Sequence, residues 1–392
     1  MSLDIKKKIK SLLTRGVDEV IDKASLEKKL NSRKKLRIKL GIDPTSPNLH
    51  LGRSIPLLKL RDFQELGHTP VLIIGDFTGV IGDTSDKESE RPMLKEEVIN
   101  NNLKTYIKQA SKIIDIKKSE VCYNSDWLGK LKYKDIGSQA DQFSINEFIS
   151  RENIKKRLDA GKRVSLRELF YPLMQGYDSV DVRADVEVGG TDQRFNLLAG
   201  RTLQRFYKQK PQDIITNPLV EGLDGRKMSS SWGNTVNLLD EPNDMFGKLM
   251  SLKDESIIKY FILLTRVDQE VIDQYEKEIK EGANPRDYKI KLASEIVRFY
   301  HSEDDASDAE KYFVKTISNK EIPDKINEIK PSSYDLLTAL IESGSAKSKT
   351  DGRRLISQKG VKVNKEVVDN PYVEVKHGDI IQKGKITFFK IV

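Results

Sequence analysis

One run of forty residues constrains the fold more than any other part of the chain. Residues 36–42, Leu-Arg-Ile-Lys-Leu-Gly-Ile, alternate apolar and other side chains with period two, which predicts a strand. Asp43-Pro44-Thr45 breaks it. From Gly52 the apolar positions Ile55, Leu58, Phe63 and Leu66 fall at helical spacing, and Gly67 ends the run. Pro70 then leads into a second strand, Val71 to Gly75. A β-α-β unit of this kind makes a parallel sheet with a right-handed crossover. Ligands of such sheets lie beyond the carboxyl ends of the strands, here Gly41-Ile42-Asp43 and Gly75-Asp76.

The pattern returns further along. Val182, Ala184, Val186 and Val188 alternate into Gly189-Gly190, and Thr191-Asp192 caps a helix expected to run to about Tyr207. A short strand at Ile214-Ile215 leads through Pro218-Leu219-Val220 into a glycine-containing loop over 221–234. The expected fold class is therefore α/β: a Rossmann-like parallel-sheet domain over 1–240, with a mostly helical insertion at about 92–180. An all-helical domain over 241–320 follows. Pro323 and Pro331 among polar residues mark a linker over 318–332. The last part, 333–392, reads as a small α+β domain. Helices are expected around Tyr334–Glu342 and Asp351–Ser357, and strands at Val361-Lys362-Val363, near Val367 and over Ile386–Ile391.

Composition excludes several classes. With 37% hydrophobic and 33% charged residues in 392, the chain has material for a sizeable core and for two or three domains. No apolar run reaches the length of a membrane span. The Lys-rich N-terminus is not followed by the apolar stretch of a secretory signal. The one cysteine, Cys122, excludes an internal disulfide and a cysteine-based metal site. We expect a cytoplasmic protein without a structural metal, and read Cys122 as a small buried apolar residue. Net charge is +8, unevenly placed: residues 1–40 hold thirteen Lys/Arg against five Asp/Glu, residues 333–392 eleven against seven, and the middle is slightly acidic. Basic ends suit a polyanion such as RNA, although on charge alone a solvated Lys-rich surface is the simpler account.

Two strings carry the chemistry. The first is Gly41-Ile42-Asp43-Pro44-Thr45 with His50-Leu51-Gly52-Arg53. A glycine lets a nucleotide approach the backbone, the start of the next helix offers free N–H groups to phosphate, and His50 and Arg53 supply charge-assisted donors. The second is Lys227-Met228-Ser229-Ser230-Ser231, preceded by Asp224-Gly225-Arg226. It would neutralise the charge that develops on a leaving pyrophosphate. By itself it reads equally well as a flexible Ser-rich loop.

In this order and separation the two strings resemble the paired motifs of the class I aminoacyl-tRNA synthetases, usually His-Ile-Gly-His and Lys-Met-Ser-Lys-Ser. Tyr171-Pro-Leu-Met-Gln175-Gly-Tyr-Asp178 and Gly189-Gly190-Thr191-Asp192-Gln193-Arg-Phe-Asn196 resemble the amino-acid and adenylate segments of the tyrosyl-tRNA synthetases. Ile81-Gly82-Asp83 followed by Lys87 and Arg91 does so too. The resemblance covers about residues 30–320, and the tail resembles the alpha-L RNA-binding domain of many bacterial tyrosine enzymes. It implies L-tyrosine, ATP with Mg2+ as its substrate complex, and tRNA(Tyr) as partners. Because the family is dimeric, it also implies a homodimer whose interface includes part of 92–180.

The resemblance further implies residue roles. Lys39, Asp83, Tyr171, Gln175, Asp178 and Gln193 would bind tyrosine, with Asp178 accepting the phenolic hydrogen. Tyr171, Gln175 and Asp178 stand at i, i+4 and i+7, a spacing that an ordinary polar helix face also shows. Gly41, Asp43, His50, Gly52, Gly190, Asp192, Leu219, Val220, Lys227, Met228 and Ser230 would form the ATP site. His50, Arg53, Lys87, Arg91, Lys227, Ser229 and Ser230 would act in catalysis on the phosphates. Arg353, Arg354, Lys359 and Lys362 are candidate RNA phosphate contacts.

Three positions depart from the family pattern. Arg53 replaces a histidine but keeps a permanent positive charge. Ser230 replaces a lysine and supplies none, which leaves more of the work to Lys227 or a bound metal. Lys39 stands where many bacterial members have a tyrosine. Rival readings are the tryptophan enzyme, which shares the fold, and a nucleotidyltransferase with a His-x-Gly motif, which would explain neither the second string nor the tail. A non-catalytic RNA-binding descendant is a third.

Overall fold

The computed structural model describes residues 3–32, 34–84, 93–318, 326–384 and 387–392. The chain packs as two compact units: Met1–Leu239 with Leu252–Pro285, and Asp240–Ser251 with Arg286–Val392.

The first unit is built on a six-stranded sheet. Its strands are β1 (Glu19–Ile21), β2 (Arg37–Ile42), β3 (Thr69–Ile74), β4 (Glu120–Tyr123), β5 (Val186–Gly190) and β6 (Asp213–Asn217), in the spatial order β1-β6-β5-β2-β3-β4. Every pairing is parallel except that of the edge strand β1 with β6. Ile38 on β2 and Val71, Leu72 and Ile73 on β3 have no exposed surface, as a sheet covered on both faces demands. The crossover helix Leu51–Glu65 buries Ile55, Leu58 and Phe63, the positions that its spacing predicts. The chain moves outwards from β2 through β3 to β4, then returns to the other side of β2 for β5 and β6. The switch point between β2 and β5 is where such a sheet opens a crevice.

Two expectations shift. The strand expected from Val182 begins at Val186, because the helix Leu166–Asp181 occupies the preceding chain, which then turns through Arg183 at φ 48°. Val182 and Ala184 are buried against Trp127 and Leu128, not within the sheet. Burial alternates across a turn there and imitates a strand. The stretch 92–180 is helical over Glu96–Ala110, Tyr133–Ala140, Ile145–Ile149 and Glu152–Asp159, but it also contributes β4. Cys122 lies half-buried on β4, packed on the Trp127 cluster, and burial pushes its thiol pKa up.

The second unit contains the helices Pro242–Met250 and Glu303–Phe313, which pack together, and Pro285–Tyr300 between them in sequence. It also contains a five-stranded sheet of β7 (Asn327–Ile329), β8 (Val361–Val363), β9 (Glu366–Val368), β10 (Ile380–Lys383) and β11 (Thr387–Ile391), in the order β7-β11-β10-β8-β9. The helices Leu336–Glu342 and Lys349–Ser357 close its core, in which Leu336, Leu340, Ile356, Val361, Ile381, Phe389 and Ile391 are buried. β7 lies inside the stretch expected to be linker and pairs parallel with β11. β10 has no clear alternation in sequence. Among the described residues no helix is long and apolar enough to cross a membrane.

Candidate active site

A cavity of about 430 Å³ opens at the carboxyl ends of β2 and β5. Its walls bring together residues far apart in sequence, from Gly41, Asp43, His50, Gly52, Arg53 and Asp83 through Tyr171, Gln175 and Asp178 to Gly190, Asp192, Gln193, Leu219, Val220, Lys227, Met228, Ser229 and Ser230.

One end is deeply buried. Asp43, at the end of β2, receives the hydroxyl of Thr78 on Oδ1 at 2.7 Å and that of Tyr171 on Oδ2 at 2.9 Å. A side chain at Gly75 would place its Cβ 2.0 Å from Asp43 Oδ1, so only glycine allows this approach. Burial, reinforced by Asp43 and Asp83, holds the Tyr171 phenol protonated, well above its ordinary pKa. The helix Leu166–Asp181 carries Tyr171, Gln175 and Asp178 on its buried face. Asp178 Oδ1 accepts the indole N–H of Trp127 at 2.8 Å, and Asn124 Nδ2 lies 3.4 Å from Oδ2. Burial raises the Asp178 carboxyl pKa to about 7, with Lys39, Trp127 and Asn124 pulling the other way. The result is a fixed acceptor in a nearly dry wall.

The other end is wetter and cationic. His50 precedes the first turn of Leu51–Glu65 and makes no side-chain cap. Its Nδ1 is buried without a hydrogen-bond partner. Burial, with Arg53 and Lys227 close by, lowers its pKa to about 3. His50 is thereby held as a neutral imidazole at physiological pH, and Arg53 and Lys227 carry the positive charge. Arg53 braces the turn after β2, donating to Asp43 O at 2.8 Å and Thr45 Oγ1 at 3.0 Å. Lys227 reaches across to Asp192 at 2.7 Å. The loop that carries Lys227 is held from within by Asn234, whose Oδ1 accepts Ser229 N–H and whose amide donates to Asp224 and to Lys227 O. Backbone bonds from Leu51 to Val236 and from Leu238 to Leu49 fasten the first string to the strand-like segment that follows the second.

Not every expected residue joins the cavity. Lys39 is fully buried behind it, with Nζ bonded to Gln175 O, Ser179 Oγ and Glu187. The reason is its register on β2, which turns the side chain towards the helix Leu166–Asp181 and not into the crevice. Lys87 and Arg91 lie outside the described residues. Arg353, Arg354 and Lys359 are exposed in the second unit, on or just after the helix Lys349–Ser357, and Lys362 is half-buried on β8. Thr78, Asn124 and Trp127 were missed by sequence reasoning. They have no motif, and only the fold brings them to Asp43 and Asp178.

Comparison with known proteins bears on the family. The model for tRNA synthetases class I (W and Y) matches residues 31–318, and the S4 domain model matches 336–381. The tyrosine–tRNA ligase of Thermotoga maritima is 44% identical over 97% of this chain and 96% of its own length. That of Carboxydothermus hydrogenoformans is 43% identical over 100% and 99%. Among solved structures, the tyrosyl-tRNA synthetase of Archaeoglobus fulgidus complexed with L-tyrosine superposes with a TM-score of 0.63, covering 78% of this chain and all of that one, at 23% identity. The C-terminally truncated mitochondrial enzyme of Aspergillus nidulans gives 0.66 at 20% identity, over 79% of this chain and 95% of that one. These likenesses concern the fold, whereas the curated relatives extend over the whole length, so the chain belongs to the tyrosine–tRNA ligase family of class I synthetases.

Proposed function

We propose that the cavity carries out both steps of the family's reaction. The carboxylate of tyrosine attacks the α-phosphorus of ATP, forming a C–O–P bond and releasing pyrophosphate. The ribose hydroxyl of the terminal adenosine of tRNA(Tyr) then attacks the tyrosyl carbonyl and releases AMP. Magnesium enters with ATP as part of the substrate. No covalent nucleophile is needed, because the task is to align two anions and to stabilise charge that appears only in the transition state.

The observation that carries this reading is Asp178, an acceptor clamped by Trp127 at the buried end of a cavity whose other end is cationic. There Asp178 takes the phenolic hydrogen. A site built for a hydroxyl rejects phenylalanine by leaving its own polar group unpaired, and this family is the type example of such rejection. Asp83, Tyr171 and Gln175 hold the ammonium, as a carboxylate with neutral acceptors would. Gln193 orients the carboxylate, Asp192 binds ribose and Asp43 lies beside the adenylate. Arg53, Lys227 and neutral His50, with Ser229 and Ser230, act on the phosphates. Lys87 and Arg91 belong with them by motif.

The functional division follows 1–240 for catalysis, 241–320 for the anticodon side and 333–392 for RNA, with Arg353, Arg354, Lys359 and Lys362 on tRNA phosphates. A homodimer is supported by exposed apolar side chains on the insertion: Tyr133 at 95%, Leu166 at 70% and Ile145 at 59% of full exposure. A cytoplasmic setting is supported by the single cysteine. ATP–pyrophosphate exchange across a panel of amino acids tests the central reading. We expect exchange with tyrosine alone, and exchange with no amino acid overturns it.

A further inference from the structure

A parallel sheet buried on both faces normally presents apolar side chains to its helices, yet behind the amino-acid end of the cavity it presents a charged pair. Lys39 on β2 and Glu187 on β5 are direct register partners, bonded at 2.8 Å, and their side chains are 0% and 1% exposed. All three Lys39 N–H groups are used: on Glu187, on Gln175 O at 2.7 Å and on Ser179 Oγ at 2.7 Å. Glu187 Oε1 also accepts from Gln175 Nε2 at 3.2 Å, and Oε2 accepts from Ser179 Oγ at 3.1 Å and from Gln212. Asn196 Nδ2 donates to the opposite end of the same carboxamide, Gln175 Oε1, at 3.1 Å.

Buried ion pairs add little stability compared with apolar residues of similar size, and removing one partner alone is costly. This pair does something that an apolar pair would not. A carboxylate accepts and never donates, so the carboxamide beside it must turn its NH2 towards Glu187 and its oxygen away. That oxygen belongs to a residue that lines the cavity. With the amide reversed, Gln175 would present N–H groups, not an acceptor, to an ammonium. Lys39 completes the device. It neutralises Glu187, so that no net charge is buried, and it pins the helix turn 175–179, which carries both Gln175 and Asp178.

We infer that the Lys39–Glu187 pair is a positioning device for tyrosine, one that fixes the orientation of the Gln175 carboxamide and the helix turn bearing Asp178. Neither residue of the pair touches the substrate. The inference rests on the assignment of Gln175 to the substrate ammonium.

The test compares Gln175→Ala, Glu187→Gln and the double variant Lys39→Met with Glu187→Gln in the full chain. ATP–pyrophosphate exchange and thermal unfolding are both measured. Glu187→Gln lowers Tm, because Lys39 loses its counter-ion, and raises the KM for tyrosine. The double variant removes the unpaired charge and recovers Tm. Its tyrosine KM stays about tenfold above the unsubstituted chain, the cost of one misplaced hydrogen bond to a charged group, while the ATP KM and kcat hold, as for a loss of ground-state binding. A pair that merely stabilises the fold would return tyrosine KM together with Tm, and a folded double variant with unaltered tyrosine KM overturns the inference. If Gln175→Ala raises tyrosine KM and the double variant does not, the inference alone falls. If Gln175→Ala leaves tyrosine KM unchanged, the ammonium assignment falls and takes the inference with it.

Discussion

The two ends of the cavity are built on opposite plans. At the end proposed for the amino acid, Tyr171, Gln175 and Asp178 are each less than a tenth exposed and hold fixed hydrogen-bond partners. At the end proposed for phosphate, Lys227 and Asp192 keep 27% and 20% of their side-chain surface and pair with each other. Discrimination between amino acids differing by one hydroxyl needs a site that cannot relax around the wrong one. Phosphate chemistry needs charge delivered to a group whose charge grows during the reaction. A Lys227–Asp192 pair suits that need: ribose and triphosphate would take over both partners at once.

The largest expected effect would break the comparison at the phosphate end. Lys227→Met should slow exchange by about a hundredfold or more, as for loss of one preorganised electrostatic donor, with little change in tyrosine KM. An equal loss in tyrosine binding would mean that the two ends are not separate. Next, Asp178→Ala should cut discrimination between tyrosine and phenylalanine by about a hundredfold, the scale of a hydrogen bond to a charged group in a dry site. Competition in exchange measures it, and unaltered discrimination would move the hydroxyl contact elsewhere. Trp127→Phe keeps the ring but removes the N–H on Asp178. It should raise tyrosine KM by about tenfold, the low end for one hydrogen bond to a carboxylate, and should leave ATP KM unchanged.

A pH profile sharpens the same contrast. With its pKa raised to about 7, Asp178 becomes a charged acceptor only as pH rises through that value. kcat/KM for tyrosine should therefore climb through about pH 7 and level off above it. His50, near 3, contributes no step in this range. An Asp178→Asn chain that keeps the rise would assign it to another group. The smallest effect expected on adenylate chemistry comes from deleting 333–392: exchange should persist, while tRNA charging weakens. Loss of exchange in a folded truncation would show that the tail supports the cavity.

Legibility in sequence divides along physical lines. The β-α-β unit was readable because a covered parallel strand must be apolar and a crossover helix must bury one stripe. The two strings proposed for phosphate were readable because they sit in a loop or the first turn of a helix, where local sequence sets local shape. Val182 and Ala184 misled, since side chains buried on either side of a turn alternate as they do in a strand. β7 and β10 escaped because short strands owe their pairing to neighbours and not to their own pattern. Lys39 was expected against the substrate because a motif gives position along the chain, not the face to which a side chain points.

By itself, then, the sequence determined the fold class, the family resemblance and more than half of the residues that line the cavity. Only the tertiary structure decided their states. It made His50 neutral by burying it, moved Asp178 into the neutral range by the same means, and paired Lys227 with Asp192 across the crevice. It set Lys39 against Glu187 behind the site. Charge state and hydrogen-bond partner depend on distance and dehydration, and neither is a property of a residue's place in the chain.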